Sequence, residues 1–229
     1  MSINSFARKL LGKPDFNIDK RIPLGYLFTI GRIYLFGLVR GSVRKLFMKN
    51  VGKKLFIGSK VRILNKSKIC IGNNVRIENN TTINALSEEG VFLGDRVKIG
   101  EYSKMLCTGS LSNLGRGISI GNDSSFSEYT FFGCAGGISI GNNVIAGQNV
   151  RFHAENHLYR NKSELIRKQG VSRKGIVVGD NCWIGSGVTI LDGTKIGNNT
   201  VIAAGAVVSG EYEDNCILGG IPARMIGEI

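Results

Sequence analysis

The sequence contains little proline, little histidine and no paired cysteine. Only 3 of its 229 residues are proline and only 2 are histidine. The 5 cysteines are far apart and form no C-x-x-C pair, which excludes a disulfide framework and a zinc ribbon. We expect reduced, partly buried thiols in a cytoplasmic protein.

A signal peptide is also missing. The most apolar run, residues 22–39, is flanked by basic residues and carries Arg32 near its middle. It starts late for a leader, lacks a small-residue cleavage site and is borderline in length for a transmembrane span. Two interpretations stay open: a helical cap over the end of the fold, or an interfacial helix that holds the protein at the inner face of an anionic membrane.

Acidic residues are outnumbered by basic ones. The chain has 30 Lys+Arg against 17 Asp+Glu, a net charge of +13. Such a surplus favours an anionic partner. The basic residues concentrate in 9–68 and 160–174, and no nucleic-acid motif accompanies them, so we expect no nucleic-acid partner.

Glycine, by contrast, is abundant, with 32 residues and no Gly-X-Y period. Between the glycines, aliphatic residues recur every six positions, which fits neither a helix nor a simple strand. The spacing predicts a solenoid of short parallel strands, each with one inward side chain and a turn after it. The clearest run comprises Val178, Ile184, Ile190, Ile196, Ile202 and Val208.

This periodicity divides the chain into three parts. Residues 1–54 form the basic, apolar helical cap or membrane-associating segment. Residues 55–210 form the repeat domain, from which a polar loop at 157–175 protrudes. Residues 211–229 form a C-terminal turn and tail.

The hexads, the segment CWIGSGVTILDGTKIGNNTVIAAGAVV and the terminal GGIPARMI together resemble the hexapeptide-repeat acyltransferases. The nearest resemblance is to galactoside/maltose acetyltransferases and surface-polysaccharide O-acetyltransferases, over roughly residues 55–229. It implies an all-β, left-handed parallel β-helix. It also implies an acetyl-CoA-dependent O-acetyltransferase with a sugar or glycan acceptor, no metal, and a homotrimer with active sites between subunits.

The resemblance also implies site residues. His157, after the run NVIAGQNVRFHAEN, matches the catalytic histidine and is the expected general base, since imidazole titrates near neutral pH. Glu155, or a backbone carbonyl near Asn156, is expected to orient it, although Glu155 could equally be a solvated loop residue. His153 is expected to have a structural or substrate-contact role, and Ser127 falls at an acceptor-binding position. Four residues are expected to bind acetyl-CoA: Trp183, Ser186, Ala204 and Arg224.

Three other functions stay open. A non-catalytic hexapeptide scaffold is consistent with the repeats alone. A γ-carbonic-anhydrase-like metal enzyme needs three histidines at each zinc, and the chain has no histidine before His153. A module that binds anionic membranes or nucleic acid is consistent with the net charge alone.

Overall fold

The computed structural model describes residues 15–229 together with Asn4, Ser5 and Arg8. The other residues before position 15, which belong to the predicted segment 1–54, lie outside the described residues. Helix α1 spans Leu24–Arg44, directly after Pro23. Proline suits this position because its fixed φ is compatible with a helix start and its missing N–H leaves no donor unsatisfied. Of the helices in the described part of the chain, none has both the length and the apolarity needed to cross a bilayer.

The chain after α1 forms three parallel sheets, with strands numbered β1–β26 along the chain. The first sheet contains β1 (Asn50–Val51), β4 (Ile69–Ile71), β7 (Gly90–Leu93), β10 (Gly117–Ile120), β13 (Ile138–Ile140), β18 (Ile176–Val178), β21 (Lys195–Ile196) and β24 (Glu211–Tyr212). The second contains β2 (Phe56–Ile57), β5 (Arg76–Ile77), β8 (Lys98–Ile99), β11 (Ser125–Phe126), β14 (Ile145–Ala146), β19 (Trp183–Ile184), β22 (Val201–Ile202), β25 (Cys216–Gly220) and, antiparallel to β25, β26 (Ala223–Glu228). The third contains β3 (Arg62–Leu64), β6 (Thr82–Asn84), β9 (Lys104–Leu106), β12 (Phe131–Gly133), β15 (Arg151–His153), β20 (Thr189–Leu191) and β23 (Val207–Val208).

The chain visits the three sheets in turn, so each set of three strands is one coil of a three-sided prism. This is the predicted left-handed parallel β-helix. Three corners separate the faces. The first corner joins the first and second sheets, the second corner joins the second and third, and the third corner leads back to the first sheet in the next coil. Coils lie about 4.8 Å apart, the usual spacing of hydrogen-bonded strands.

The interior is a stack of the side chains that the six-residue period predicts. Ile184, Ile190 and Ile202 are almost fully buried, and the same positions in lower coils are equally closed. The rings of Phe132 and Phe152 stack with their centroids 5.2 Å apart, and the small side chain of Ala146 lies in the same layer of the core. Each strand buries too little apolar surface alone, so the stack as a whole supplies the stability. The cysteines are unpaired, and four of them are buried, as expected: Cys107, Cys134, Cys182 and Cys216.

A ladder of Asn and Asp side chains fastens the first corner. The Asn73 N–H donates to Asp95 Oδ1 at 2.7 Å, and the Asp95 N–H donates to Asn122 Oδ1 at 2.8 Å. The bonds from Asn73 lower the pKa of Asp95. The ladder joins each coil to the next and continues through Asn142, Asp180, Asn198 and Asp214.

The second half of α1 covers the lower end of the prism. Tyr34 stacks on Phe56 with ring centroids 5.6 Å apart. The helix backbone approaches the first coil so closely that a Cβ at Gly41 would lie 1.8 Å from the Leu55 carbonyl oxygen. The Arg40 side chain donates to the Ile57 carbonyl at 2.8 Å, which adds a polar contact at this end.

The solenoid is longer than the predicted 55–210. At its start, β1 pairs with β4, and at its end β24 pairs with β21 and β25 with β22. Residues 211–229 are therefore another partial coil and a hairpin, and not only a turn and tail. The sequence hides this because the inward residue of β24 is Tyr212, an aromatic in place of the expected aliphatic.

Candidate functional site

The second corner has the same backbone conformation in every coil but different side chains. The third residue of this turn has a positive φ in every coil. In three lower coils this residue is Tyr102 (φ 58°), Tyr129 (φ 60°) or Asn149 (φ 59°). In the two upper coils the position is Gly187 (φ 72°) and Gly205 (φ 73°). Because glycine has no side chain, the upper half of this corner is open where the lower half is covered.

Three of the predicted acetyl-CoA residues lie on this open part. Trp183 precedes the Gly187 turn and its side chain is 58% exposed. The Ser186 hydroxyl donates to Gln148 Oε1 at 2.8 Å. Within the described part of the chain, the backbone N–H groups of Ser186 and Ala204 have no protein acceptor. Two adjacent coils therefore present one free donor each beside an exposed indole.

Arg224 lies above them at the top of the same face. It is on β26 opposite Gly219, and its Nη1 donates to the Ala223 carbonyl at 2.7 Å. A Cβ at Gly219 would lie 3.5 Å from the Cβ of Ala203, so β25 lies over the Ala203–Gly205 turn and the arginine strand β26 is the next strand out. The four residues predicted to bind acetyl-CoA therefore follow one another along one edge of the second sheet, from β19 to β26.

The histidines lie at a different corner. His153 ends β15 in the third sheet, and His157 lies in β16 (Asn156–His157), which pairs with β17 (Val171–Ser172) to close the base of the loop. The loop contains a 3₁₀ turn at Ile166–Lys168. His157 is exposed at the mouth of this loop, and Asn156 beside it is exposed too. The strand pairing holds the backbone of His157 in place while its imidazole stays accessible to solvent or substrate.

His153 is in a more enclosed place. Its ring lies 5.3 Å from the ring of Phe131, and its strand neighbours are Gly133 and Leu191. Burial, and then the charge of Arg151, lowers the pKa of His153, so its neutral form is favoured. This environment suits the predicted structural or substrate-contact role.

Arg173 forms a set of contacts that the sequence did not reveal. Its Nε donates to Glu155 Oε2 at 2.7 Å, and its Nη1 donates to Asn113 Oδ1 at 2.8 Å and to the Leu114 carbonyl at 2.9 Å. A Cβ at Gly109 would lie 2.0 Å from this guanidinium, so only glycine leaves room for it there. Arg173 therefore joins the 157–175 loop to the loop before Gly115.

The same contact bears on Glu155. Its carboxylate pairs with Arg173, and the described contacts include no hydrogen bond between Glu155 and His157. The orienting role of Glu155 stays a prediction. What the structure adds is that Glu155 helps to fix the loop that carries His157.

The two halves of the predicted site are separated within one chain. Ser186 and Leu191 belong to the same coil, and Leu191 lies in register with His153. Five residues of extended chain span about 15 Å, so the open corner and His153 lie on opposite edges of the third sheet, with His153 one coil below Ser186. Ser127 lies on the second corner, two coils below Ser186, and is therefore not beside His153 and Asn156. The predicted substrate-binding set is divided in the same way.

The residues of the site offer no metal centre on their own. Over the described ranges, the structure contains no cluster of three or more His, Cys, Asp or Glu side chains placed to hold an ion. His153 and His157 are on different strands and each has apolar or loop neighbours.

Two stretches match known repeat families. Residues 175–210 match the bacterial transferase hexapeptide (six repeats), and residues 74–100 match the hexapeptide repeat of succinyl-transferase. Two Escherichia coli K12 proteins are similar over longer regions. Galactoside O-acetyltransferase is 38% identical over 93 residues, 40% of this chain and 44% of that protein. The putative lipopolysaccharide biosynthesis O-acetyl transferase WbbJ is 27% identical over 124 residues, 51% of this chain and 63% of that protein.

The chain therefore spans less than two thirds of the length of these curated relatives. Among solved structures, the Bacillus cereus N-acyltransferase AntD, in complex with dTDP and 3-hydroxybutyryl-CoA, superimposes with a TM-score of 0.57 at 20% identity. The superposition covers 82% of this chain and 87% of AntD, which shows a common fold. By its two hexapeptide stretches, its coil architecture and these relatives, the chain is similar to the hexapeptide-repeat acetyltransferases.

Proposed function

We propose that this protein is an acetyl-CoA-dependent O-acetyltransferase that acts on a sugar hydroxyl, in surface-polysaccharide synthesis, as a homotrimer with His157 as general base. One observation carries the proposal. A corner whose turn glycines leave backbone donors exposed and the strand that leads into the histidine loop lie on two edges of one face, in neighbouring coils. Each edge bears half of a site, and each lacks the other half.

A threefold arrangement supplies the missing half. When three prisms associate around one axis, the second corner of one subunit can face the third corner of the next, and the contact repeats until the ring closes. The two edges, one from each chain, then line a groove between the subunits. The His157 loop of one subunit reaches across that groove to the open corner of its neighbour.

The open corner fits an extended thioester arm. The N–H groups of Ser186 and Ala204 are free to donate to the amide carbonyls of pantetheine, and the bare Gly187 and Gly205 allow the arm to approach the backbone. Trp183 would form a wall beside the thioester. Arg224, at the top of the column, would face the nucleotide phosphates, for which a guanidinium is the preferred partner.

The transfer needs one proton to move twice. His157 takes the proton of the acceptor hydroxyl as that oxygen attacks the acetyl carbonyl, and it then gives the proton to the departing CoA thiolate. The developing oxyanion is stabilised by a backbone N–H on the open corner. Arg173, Glu155 and Asn113 hold the loop, so that the imidazole meets the acceptor at a fixed distance.

The relatives support the chemistry and the acceptor class. Galactoside O-acetyltransferase is named for transfer to a sugar oxygen, and WbbJ for O-acetyl transfer in lipopolysaccharide biosynthesis. A mutant of AntD was solved with dTDP-4-amino-4,6-dideoxyglucose and coenzyme A, and AntD itself with dTDP and 3-hydroxybutyryl-CoA. In the present chain His153, Asn156 and Ser127 of facing subunits are the residues we expect to contact the acceptor.

The test is release of free CoA thiol from acetyl-CoA with a panel of sugars and cell-envelope glycans. We expect His157→Ala to lower kcat by about 10²- to 10⁴-fold, the usual contribution of a general base, and His153→Asn to have a smaller effect. Both residues lie outside the core, so both variants should keep the wild-type melting temperature. Full activity in His157→Ala would contradict the assignment of the base. No binding of acetyl-CoA would indicate a scaffold, and stoichiometric zinc with CO₂ hydration would indicate a carbonic-anhydrase-like enzyme.

A further inference from the structure

Helix α1 has two halves with different surroundings. The second half contacts the first coil through Tyr34, Gly37 and Gly41, all of which are buried. The first half, residues 24–33, contains no buried residue. A Cβ added at Gly25 or Gly31 would meet nothing within 4 Å. Among the hydrogen bonds and ring contacts of the described residues, none joins this half to the β-helix.

The exposed side chains of α1 are large and apolar. Leu24 is 76% exposed, Phe28 70% and Leu35 60%. A contiguous patch of this kind on a protein surface marks a contact with another apolar phase or partner. The remaining members of the patch, in and directly after the helix, are Tyr26, Ile30, Ile33, Phe36, Val39, Val43, Leu46 and Phe47.

The positive charge of the protein belongs to the same region. Residues 20–77 contain no Asp or Glu. They contain 14 Lys and Arg, whereas residues 78–229 contain 13 Lys and Arg against 15 Asp and Glu. The apolar helix is therefore surrounded by the strongly basic part of the fold. A surface that is both apolar and basic complements one that is both apolar and anionic.

A groove between α1 and the first coil adds a place for a phosphate. Its volume is about 630 Å³. The lining combines apolar groups of Leu38 and Leu55 with the side chains of Lys45, Lys53 and Lys54. Lys45 and Lys53 are exposed and form no ion pair in the described part of the chain. The lysines can bind the phosphate of an anionic lipid headgroup, and the apolar groups below them can contact the first carbons of its acyl chains.

From these four observations we infer that α1 and the first coil dock on a bilayer that contains anionic phospholipid. The free half of α1 lies in the interface with its apolar side chains at the level of the acyl chains, and the lysines of the groove and first coil contact phosphates. A second copy is a poorer partner, because an isologous contact would place the same basic surface on both sides. The proposed acetyl-transfer site lies four to six coils above, about 20–30 Å from the docked end.

Vesicle flotation tests this inference without any acetyl transfer, so it is independent of the proposed function. The full chain is mixed with vesicles of phosphatidylcholine alone or with about a third phosphatidylglycerol. We expect binding to the anionic vesicles that weakens as salt rises, and little binding to the neutral ones. Phe28→Gln/Leu35→Gln should reduce the affinity about tenfold or more because two apolar side chains no longer enter the interface. Lys45→Gln/Lys53→Gln should have an effect of similar size because two contacts with phosphates are lost.

Two matched variants serve as controls. Leu111→Gln removes a residue that is 92% exposed on a distant loop, and Lys162→Gln/Lys168→Gln removes two exposed loop lysines. Both should bind anionic vesicles like the wild type. Equal affinity for neutral and anionic vesicles, or equal losses in the controls, would overturn the inference. So would a change of oligomeric state in Phe28→Gln/Leu35→Gln without vesicle binding, which would identify the patch as a subunit contact.

Discussion

The second and third corners of the prism differ in how their turns vary from coil to coil. At the second corner every coil has the same turn with the same positive φ, and only the side chains change. At the third corner the turn length itself changes, and the longest connection runs from His153 to Ile176. The second corner becomes open where glycine replaces a residue with a side chain. The third corner gains a protruding loop where residues are inserted.

This difference explains why the two corners depend on different contacts. The open turns of the second corner need no support beyond the neighbouring coils, because their backbone bonds are those of every other coil. The inserted loop of the third corner has few such bonds and depends on the Arg173 network instead. Disturbing the loop should therefore affect rate and stability, whereas disturbing the open turns should affect ligand affinity alone.

The largest effect is expected at the third corner. Arg173→Gln removes an ion pair and three further hydrogen bonds, so the free energy of unfolding should fall by about 1.5–3 kcal/mol. We also expect kcat to fall about tenfold to a hundredfold, because His157 loses its fixed position, while the KM for acetyl-CoA stays the same. Steady-state kinetics and urea unfolding measure both. Arg160→Gln, an exposed arginine in the same loop, is the control and should behave like the wild type.

The next effect concerns the open part of the second corner. Gly187→Asn/Gly205→Asn gives the upper coils a residue that tolerates positive φ, as Asn149 does one coil below. The new side chains should obstruct the groove and raise the KM for acetyl-CoA about tenfold, or 1.4 kcal/mol, with little change in melting temperature. Asn80→Gly, at the same position in a lower coil, should leave the KM unchanged. An unaltered KM in the double variant would mean that acetyl-CoA binds elsewhere.

A smaller effect is expected in the covered part of the second corner. The rings of Tyr102 and Tyr129 stack with centroids 5.1 Å apart. Tyr129→Asn should cost about 0.5–1.5 kcal/mol of stability and leave acetyl transfer unchanged. The double variant Tyr102→Asn/Tyr129→Asn should cost less than the sum of the single variants, because the ring contact can be lost only once. Thermal unfolding of the four proteins gives the comparison, and strict additivity would show that the stack contributes nothing.

The smallest effect is a pH dependence at the third corner. Burial lowers the pKa of His153, so the unfolded chain takes up a proton more readily than the folded one. The stability that this group contributes is complete above the pKa of an unfolded histidine, about 6.5, and is lost as the pH falls. We expect the melting temperature of the wild type to drop more steeply than that of His153→Asn between about pH 7.5 and pH 5.5. Parallel curves would show that the environment of His153 does not favour its neutral form.

The sequence predicts the fold far better than it predicts the site. A six-residue period reports directly on inward side chains, so the core at Ile184, Ile190 and Ile202 could be anticipated residue by residue. The motif around Trp183 and Ser186 likewise indicates one face of one corner. The Arg173 network could not be anticipated, since it joins Asn113 to a loop 60 residues later with no periodicity in either. Nor could the period reveal that the two halves of the site lie on different edges of one chain.

The central claim, a site shared by two subunits, can be tested with two impaired variants. His157→Ala lacks the base, and Gly187→Asn/Gly205→Asn has an obstructed groove. The assay keeps acetyl-CoA well below the KM of the second variant, so that its weaker binding lowers the measured rate. If the site lies between subunits, co-expressed and randomly mixed trimers should recover about a quarter of the wild-type rate, because one contact in four pairs an intact loop with an intact corner. Mixed trimers no more active than the two variants measured separately would contradict the claim and place both halves of the site within one chain.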